Sequence, residues 1–193
     1  MDILGKGFAD QNTKIKGIRR ADKFAKMAVA ACQESCNLLD FSKEKSEISI
    51  ILATQFGPHS TTFKFLDNIL DYSDTSASPT IFSHSVHNAA TSYIASCLGI
   101  CGQALTITSF SDPLKQALIM ADAWLELKQT EKVIVCYVEE ESDPMVFAHG
   151  YCDFPSYSKN KILSGAVSIL LQQGNLFKIP ERILNPFKYI KEL

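Results

Sequence analysis

Serine and aspartate residues cluster where a strand is expected to turn into a helix, and such residues could carry out acyl transfer. Residues 102–113 run from Gly102 through β-favouring residues to Ser111, Asp112 and Pro113. This order predicts a buried strand, a tight turn and a helix start. A serine at such a turn faces unpaired backbone N–H groups and the positive end of the helix dipole. Ser111 is therefore a candidate nucleophile, and simple helix capping is the alternative.

Cysteines and histidines are the other residues that could bind a metal or take part in catalysis. The chain has six cysteines and four histidines, at Cys32, Cys36, Cys97, Cys101, Cys136, Cys152, His59, His84, His87 and His149. Two cysteine pairs have C-x₃-C spacing, but the histidines do not follow the spacing of a zinc finger. We expect reduced, mostly buried thiols in a cytoplasmic protein, with no metal and no other cofactor.

The elements that must position these residues alternate between strand and helix. We predict strands near residues 3–8, 47–53, 104–108, 132–138 and 166–171, and one long apolar helix over residues 82–98. Thr61 or Thr62 is expected to cap a helix before it. This alternation predicts an α/β domain with a mostly parallel sheet. Polar residues after three of the strands should then meet at one edge, namely Thr54, Gln55, Ser109, Ser111, Glu139 and Glu140.

Composition limits the possible functions. The chain has 193 residues, 46% of them hydrophobic, and a net charge of −2, which argues against general nucleic-acid binding. No N-terminal apolar segment resembles a signal peptide, and no apolar run is long enough to span a membrane. We expect a domain over residues 1–172 and an irregular or weakly helical tail over residues 173–193.

Several stretches resemble the N-terminal half of a β-ketoacyl synthase, in the thiolase-like superfamily. Residues 22–31 are similar to the first long helix of that family, and residues 50–57 to its second strand and glycine turn. Leu98-Gly-Ile-x-Gly102 resembles a family link. The most specific stretch is Ser78-Pro-Thr-Ile-Phe-Ser-His-Ser-Val-His-Asn-Ala-Ala, which resembles short synthase-like proteins found beside polyene pathways. The resemblance implies half of a thiolase-like fold, with a five-stranded mixed sheet and helices on both faces.

The family's catalytic residues are not matched. A gap-free count from Gly102 puts Ser111 where an active synthase has its nucleophilic cysteine, and the two family histidines belong to a C-terminal half that this sequence does not include. Condensation needs a thiolate and donors that stabilise the developing negative charge. The resemblance therefore implies a subunit that is not catalytic alone, similar to a chain-length factor in fatty acid or polyketide biosynthesis.

The resemblance also implies partners and site residues. The partner would be an active ketosynthase in a heterodimer, or a second copy, contacted around residues 82–98 and 104–108. Positions near the acyl tunnel and this interface would be Ile81, Phe82, Ser85 and His87.

Two further hypotheses stay open. One is a serine-dependent acyl-transfer enzyme that uses Ser111 with a histidine as base. The other is a docking module for an acidic acyl carrier protein, bound through Arg19, Arg20 and Lys23 in the densest basic segment of the chain. An ordinary solvated helix face is the alternative for that basic segment.

Overall fold

A computed structural model describes residues 1–15, 18–37, 48–72, 77–143, 145–147 and 164–193. Its strands are β1 (Asp2–Asp10), β2 (Ile48–Thr54), β3 (Ala104–Thr108), β4 (Lys132–Glu139) and β5 (Gly165–Gln172). They form one sheet in the order β1-β5-β4-β2-β3. β2 is parallel to both β3 and β4, whereas β5 is antiparallel to both β1 and β4. The predicted five strands and mixed sheet are confirmed.

Helices cover the two faces of this sheet. The helices are α1 (Lys23–Ser35), α2 (His59–Tyr72), α3 (Pro79–Ser85), α4 (Ala89–Leu98), α5 (Pro113–Glu126) and α6 (Pro186–Glu192). One core lies between the sheet and helices α1 and α4, and the other between the sheet and helices α5 and α6. β2, β4 and β5 are buried along almost their whole length. This two-sided burial explains why their sequences are nearly continuous in apolar residues.

Helix α1 lies so close to β1 that a side chain would not fit between them. A Cβ atom added to Gly7 would lie 1.9 Å from the backbone oxygen of Ala31. Small residues also dominate the inner face of α1, where Ala28, Ala31 and Cys32 are fully buried. The glycine in β1 therefore serves the contact between strand and helix.

The predicted single helix over residues 82–98 is wrong, because α3 and α4 are separate helices. Ser78 caps α3 by accepting a hydrogen bond from the N–H of Ile81, and Pro79 occupies the first turn. The chain then becomes extended at Val86 (φ −91°, ψ 141°) before α4 begins at Ala89. Apolar periodicity alone did not reveal this break.

The predicted cap of the preceding helix is also wrong. Helix α2 begins at His59, before either threonine. The hydroxyl of Thr61 donates to Asp22 at 3.0 Å, and that of Thr62 donates to the carbonyl of Ser85 at 2.8 Å. Both threonines therefore tie α2 to neighbouring elements.

The last residues pack against the sheet. Ile183 and Ile190 are buried beside Leu114 and Leu118 of α5. The Asp112 carboxylate accepts hydrogen bonds from the N–H of Lys115 (3.4 Å) and the N–H of Ile183 (2.9 Å). It thus caps α5 and holds the last segment at the same time. The domain boundary at residue 172 stays a prediction.

We expect Asp112→Ala to destabilise the fold by about 2–3 kcal/mol. It removes a helix cap and puts alanine at φ 51°, where aspartate and asparagine are tolerated better. Urea unfolding monitored by circular dichroism measures the loss. Asp112→Asn keeps an acceptor oxygen and should retain most of the stability. Equal stabilities for the two variants would contradict this account of Asp112.

Candidate functional site

The carboxyl ends of β2, β3 and β4 lie at the same edge of the sheet, as their parallel directions require. The N–H of Ser109 donates to the carbonyl of Thr54 at 3.3 Å, which joins the ends of β3 and β2. The side-chain amide of Gln55 donates to the carbonyl of Phe110 at 3.4 Å. Polar residues that follow different strands therefore meet at this edge, where α/β sheets bind ligands.

Glu139 is a fully buried carboxylate at this edge. Its side chain is 0% exposed. One carboxylate oxygen accepts from the hydroxyl of Thr54 at 3.1 Å and from the N–H of Gln55, and the other accepts from the N–H of Phe56 at 3.3 Å. Burial raises the pKa of Glu139 to about 7, although these donors oppose the shift.

Glu140 secures the other end of the same connection. It is 2% exposed and accepts from the N–H of Ser60 at 3.0 Å, in the first turn of α2. Burial, with Asp22 nearby, raises the pKa of Glu140 to about 7. Two consecutive glutamates thus fix the β2–α2 connection at both ends. Their occurrence after a buried strand marked them as candidates in the sequence, but their burial was not predictable from it.

Ser111 lies on the exposed turn between β3 and α5, one residue before the helix cap Asp112. Hydrogen bonds within this turn pair the N–H of Ser111 with Ser109 Oγ at 3.1 Å, and Ser109 Oγ with the carbonyl of Ser111 at 3.0 Å. Gln116 also donates to that carbonyl, at 2.8 Å. These contacts shape the backbone of the turn.

The three described histidines lie in different surroundings, and Nδ1 of His59 is buried without a hydrogen-bond partner among the described residues. His84 Nε2 lies 2.6 Å from the hydroxyl of Tyr93. The ring of His87 packs under Gly57, where an added Cβ would lie 2.3 Å from it. Burial, with His87 nearby, lowers the pKa of His59. Within the described ranges no hydrogen bond joins Ser111 to a histidine, and His149 lies outside them.

The residues predicted to shape a tunnel lie on α3 and just after it. Ile81 is half-buried, Phe82 is 54% exposed and Ser85 is buried. The Phe82 ring contacts that of Phe65 on α2, with centroids 5.3 Å apart. Together with His87, these residues lie beside the β2–α2 connection.

The predicted basic site lies at the start of α1. Arg19, Arg20 and Lys23 are exposed, and Lys23 donates to the side chain of Gln11 at 3.0 Å. Asp22 caps α1 and also accepts from Thr61 of α2, so this segment borders the beginning of α2.

A row of aromatic rings crosses this edge and was not predicted from the sequence. The rings of Phe110, Phe56, His59 and Phe63 meet edge to face, with successive centroid distances of 5.7, 5.5 and 5.9 Å. Phe56 is 3% exposed, whereas Phe110 and Phe63, at the two ends, are 59% and 42% exposed. The row therefore links the β3–α5 turn to the outer face of α2.

None of the described cysteines lies in the turn between β3 and α5, and two of them are poor nucleophiles. Burial raises the pKa of Cys32 well above its usual range and that of Cys36 to about 12. Among described residues no cluster of three metal-ligating side chains occurs. No helix within the described ranges is long and apolar enough to cross a membrane.

Comparisons with known proteins agree with this architecture. A family model described as "Beta-ketoacyl synthase, N-terminal domain" matches residues 17–184. No curated protein matches the chain. A chain of the ketosynthase ApeO in complex with its chain length factor ApeC, from Xenorhabdus doucetiae, is similar with a TM-score of 0.68 and 18% identity, over 90% of this chain and 79% of that one.

Two other solved structures are similar. The ishigamide ketosynthase/chain length factor gives a TM-score of 0.69 and 17% identity, over 87% of this chain and 47% of that one. The AntDE:AntF complex, a type II polyketide synthase acyl-carrier protein with its ketosynthase, gives a TM-score of 0.72 and 16% identity, over 89% of this chain and 62% of that one. At these identities the likeness shows the fold, and the predicted half of a thiolase-like architecture is confirmed. This chain spans only part of each of these structures.

The two buried glutamates predict an unusual dependence of stability on pH. Because folding raises their pKa from 4.5 to about 7, the folded state holds protons that the unfolded state releases. The free energy of unfolding should therefore fall as pH rises from about 4.5 to 7, by roughly 1–3 kcal/mol for each carboxylate. Glu140→Gln should reduce this fall, as measured by urea unfolding at several pH values. The exposed neighbour variant Glu141→Gln should leave it unchanged, and identical pH profiles for all three proteins would contradict the role of Glu140.

Proposed function

This chain belongs to the β-ketoacyl synthase family through its N-terminal domain, and on that premise we propose that it is a non-catalytic, chain-length-factor-like subunit. It pairs with an active β-ketoacyl synthase in fatty acid or polyketide-type biosynthesis, including polyene pathways, and shapes the acyl tunnel of that enzyme. The cytoplasmic location expected from the sequence is part of the proposal.

The residue at the nucleophile position carries the proposal. A gap-free count from Gly102 puts Ser111 where an active synthase has its cysteine. A serine hydroxyl is a far weaker nucleophile than a thiolate unless a base activates it. The described histidines are bonded to or packed against other groups. Asp112, the adjacent carboxylate, is occupied by the N–H groups of Lys115 and Ile183. The contacts of this turn therefore favour a structural role for Ser111 and Asp112 over a catalytic one.

The similar solved structures support a paired subunit. Two of them are ketosynthases with a chain length factor, and a third is a ketosynthase with an acyl-carrier protein. We propose the same kinds of partner for this chain, an active ketosynthase first and an acyl carrier protein second. Arg19, Arg20 and Lys23 are proposed to attract the acidic carrier, because they are exposed at the start of α1.

Strand β3 offers a surface for the partner subunit. It lies at the edge of the described sheet and pairs with β2. The carbonyl of Gln103 accepts from the N–H of Ile50, and the N–H of Ser109 donates to the carbonyl of Thr54. The backbone N–H and C=O groups of the odd-numbered residues of β3 therefore point toward β2. Even-numbered residues, Thr106 and Thr108 among them, direct their backbone groups to the free edge. A partner strand could add there, beside Ile81, Phe82, Ser85 and His87, which we propose line the shared tunnel.

The purified chain should not condense acyl and malonyl carrier proteins. Ser111→Cys should not restore condensation either, although its thiol at a helix start would react with a thiol reagent. Decarboxylation and carbon–carbon bond formation still need acid–base and oxyanion partners. The measurement is mass spectrometry of the products that each protein forms, with and without an active β-ketoacyl synthase of the same organism. Elongated product from either protein alone would overturn the non-catalytic proposal.

Charge reversal tests the carrier contact separately. Arg19→Glu with Arg20→Glu should weaken binding of the acidic carrier at low salt by roughly tenfold, because the attraction is electrostatic. Lys128→Glu, at an exposed lysine just after the end of α5, is the control for a change of charge elsewhere. Unchanged carrier affinity after reversal at Arg19 and Arg20 would remove these residues from the proposal.

A further inference from the structure

Helix α2 carries an apolar stripe that the other described residues leave exposed. The helix has 14 residues and none is buried. Phe63, Leu66 and Leu70 recur at helical spacing on one side and are 42%, 46% and 82% exposed. Phe65 and Ile69, on the adjoining side, are half-buried. The apolar face of α2 is therefore wider than its contact with the rest of the chain.

Polar contacts at its first turn hold α2 in place. Ser60 N–H bonds to Glu140, the Thr61 hydroxyl to Asp22 and the Thr62 hydroxyl to the Ser85 carbonyl. The exposed stripe is thus not needed to attach the helix to the fold. Exposed contiguous apolar surface of this kind marks an interaction site.

An aromatic row connects this stripe to the turn after β3. Within the described residues the row runs from Phe63 to Phe110, directly after β3, and Phe56 in its middle is buried. Phe82 on α3 borders the stripe through its contact with Phe65. The exposed apolar side chains of α2, α3 and the β3–α5 turn are therefore joined through ring contacts.

The size of this surface fits a protein partner. Its exposed side chains present roughly 600 Å² of apolar area, if each large side chain has an area on the order of 200 Å². They are Phe63, Leu66, Leu70, Phe82, Val86 and Phe110. A standard interface buries about 800 Å² on each partner, and the backbone edge of β3 supplies much of the difference. A convex helix face, by contrast, is not the concave pocket that small molecules need.

Charge distinguishes between the possible partners. Asp67 and Asp71 are exposed beside the stripe, and Lys64 is the one cation on α2. This net negative rim disfavours an anionic membrane surface. It also disfavours pairing of α2 with its own copy, which would bring carboxylates together. A protein with basic residues around an apolar contact fits the charge.

We propose that helix α2 is a second contact surface for the same synthase subunit that pairs with β3, and that it selects that partner through the apolar stripe and its acidic rim. This inference rests on the proposed function. It adds that the partner surface opposite α2 is apolar with basic residues at its border.

Binding of α2 variants to an active β-ketoacyl synthase of the same organism tests the inference. Leu70→Asp should raise the dissociation constant measured by calorimetry at least tenfold, because it puts a charge into the apolar contact. Leu127→Asp changes a leucine that is 69% exposed at the end of α5 and should bind like wild type. Asp67→Lys with Asp71→Lys should slow association several-fold at low salt. All four positions are exposed, so the unfolding midpoints of these variants should stay within a few degrees of that of the wild type.

A strand-edge variant separates this inference from the proposed function. Thr108→Pro removes an outward-facing N–H without breaking the β2–β3 ladder and should also weaken binding. If Thr108→Pro weakens binding but Leu70→Asp does not, the α2 contact is overturned and the paired-subunit function stands. If wild type does not bind the synthase, or self-associates through α2, the α2 inference fails, and absence of synthase binding removes the proposed function as well.

Discussion

The buried carboxylate of Glu139 holds together the edge of the sheet on which the candidate site is built. It ends the central strand β4 and bonds to Thr54, the last residue of the neighbouring strand β2, and to Gln55 and Phe56, which follow it. A buried carboxylate is costly unless donors surround it, so strand and connection specify each other's positions. Glu140 extends the same arrangement to the first turn of α2. The orientation of the aromatic row and of α2 follows from these two residues.

Sequence patterns predicted β2, β4 and β5 well because these strands are buried on both faces. The predicted burial of β3 is wrong, because β3 lies at the edge of the described sheet and is partly exposed. The apolar runs of β2, β4 and β5 leave little room for another assignment, and the helix start at Pro113 follows from local capping chemistry. Features that depend on tertiary contact were not predictable. The break at Val86 has no strong local signal in the sequence. The hydroxyl of Thr62 does not cap a helix and instead donates to the carbonyl of Ser85, 23 residues away in the chain.

The candidate site shows the same division. The sequence identified Ser111, Gln55, Glu139 and Glu140 as polar residues near strand ends, and three of these take part in one contact network or its continuation. It did not reveal that Phe110 and Phe63 are linked through Phe56 and His59. Such ring contacts join residues far apart in the chain, and no spacing rule connects them. The aromatic row is therefore a property of the fold, whereas the polar residues near the strand ends could be identified in the sequence.

The strand order also has a consequence for how the chain reaches its native state. β1 is made first, but in the described sheet its neighbour is β5, near the end of the chain. β2, β3 and β4 can form a parallel unit earlier, while β1 waits for β5 to insert between it and β4. During synthesis the hydrogen-bonding edge of β4 stays open until β5 emerges, and such unpaired edges favour aggregation. Contacts so distant in sequence also slow folding, because a long loop must close before they form. The final third of the chain thus controls the completion of a sheet that its first ten residues begin.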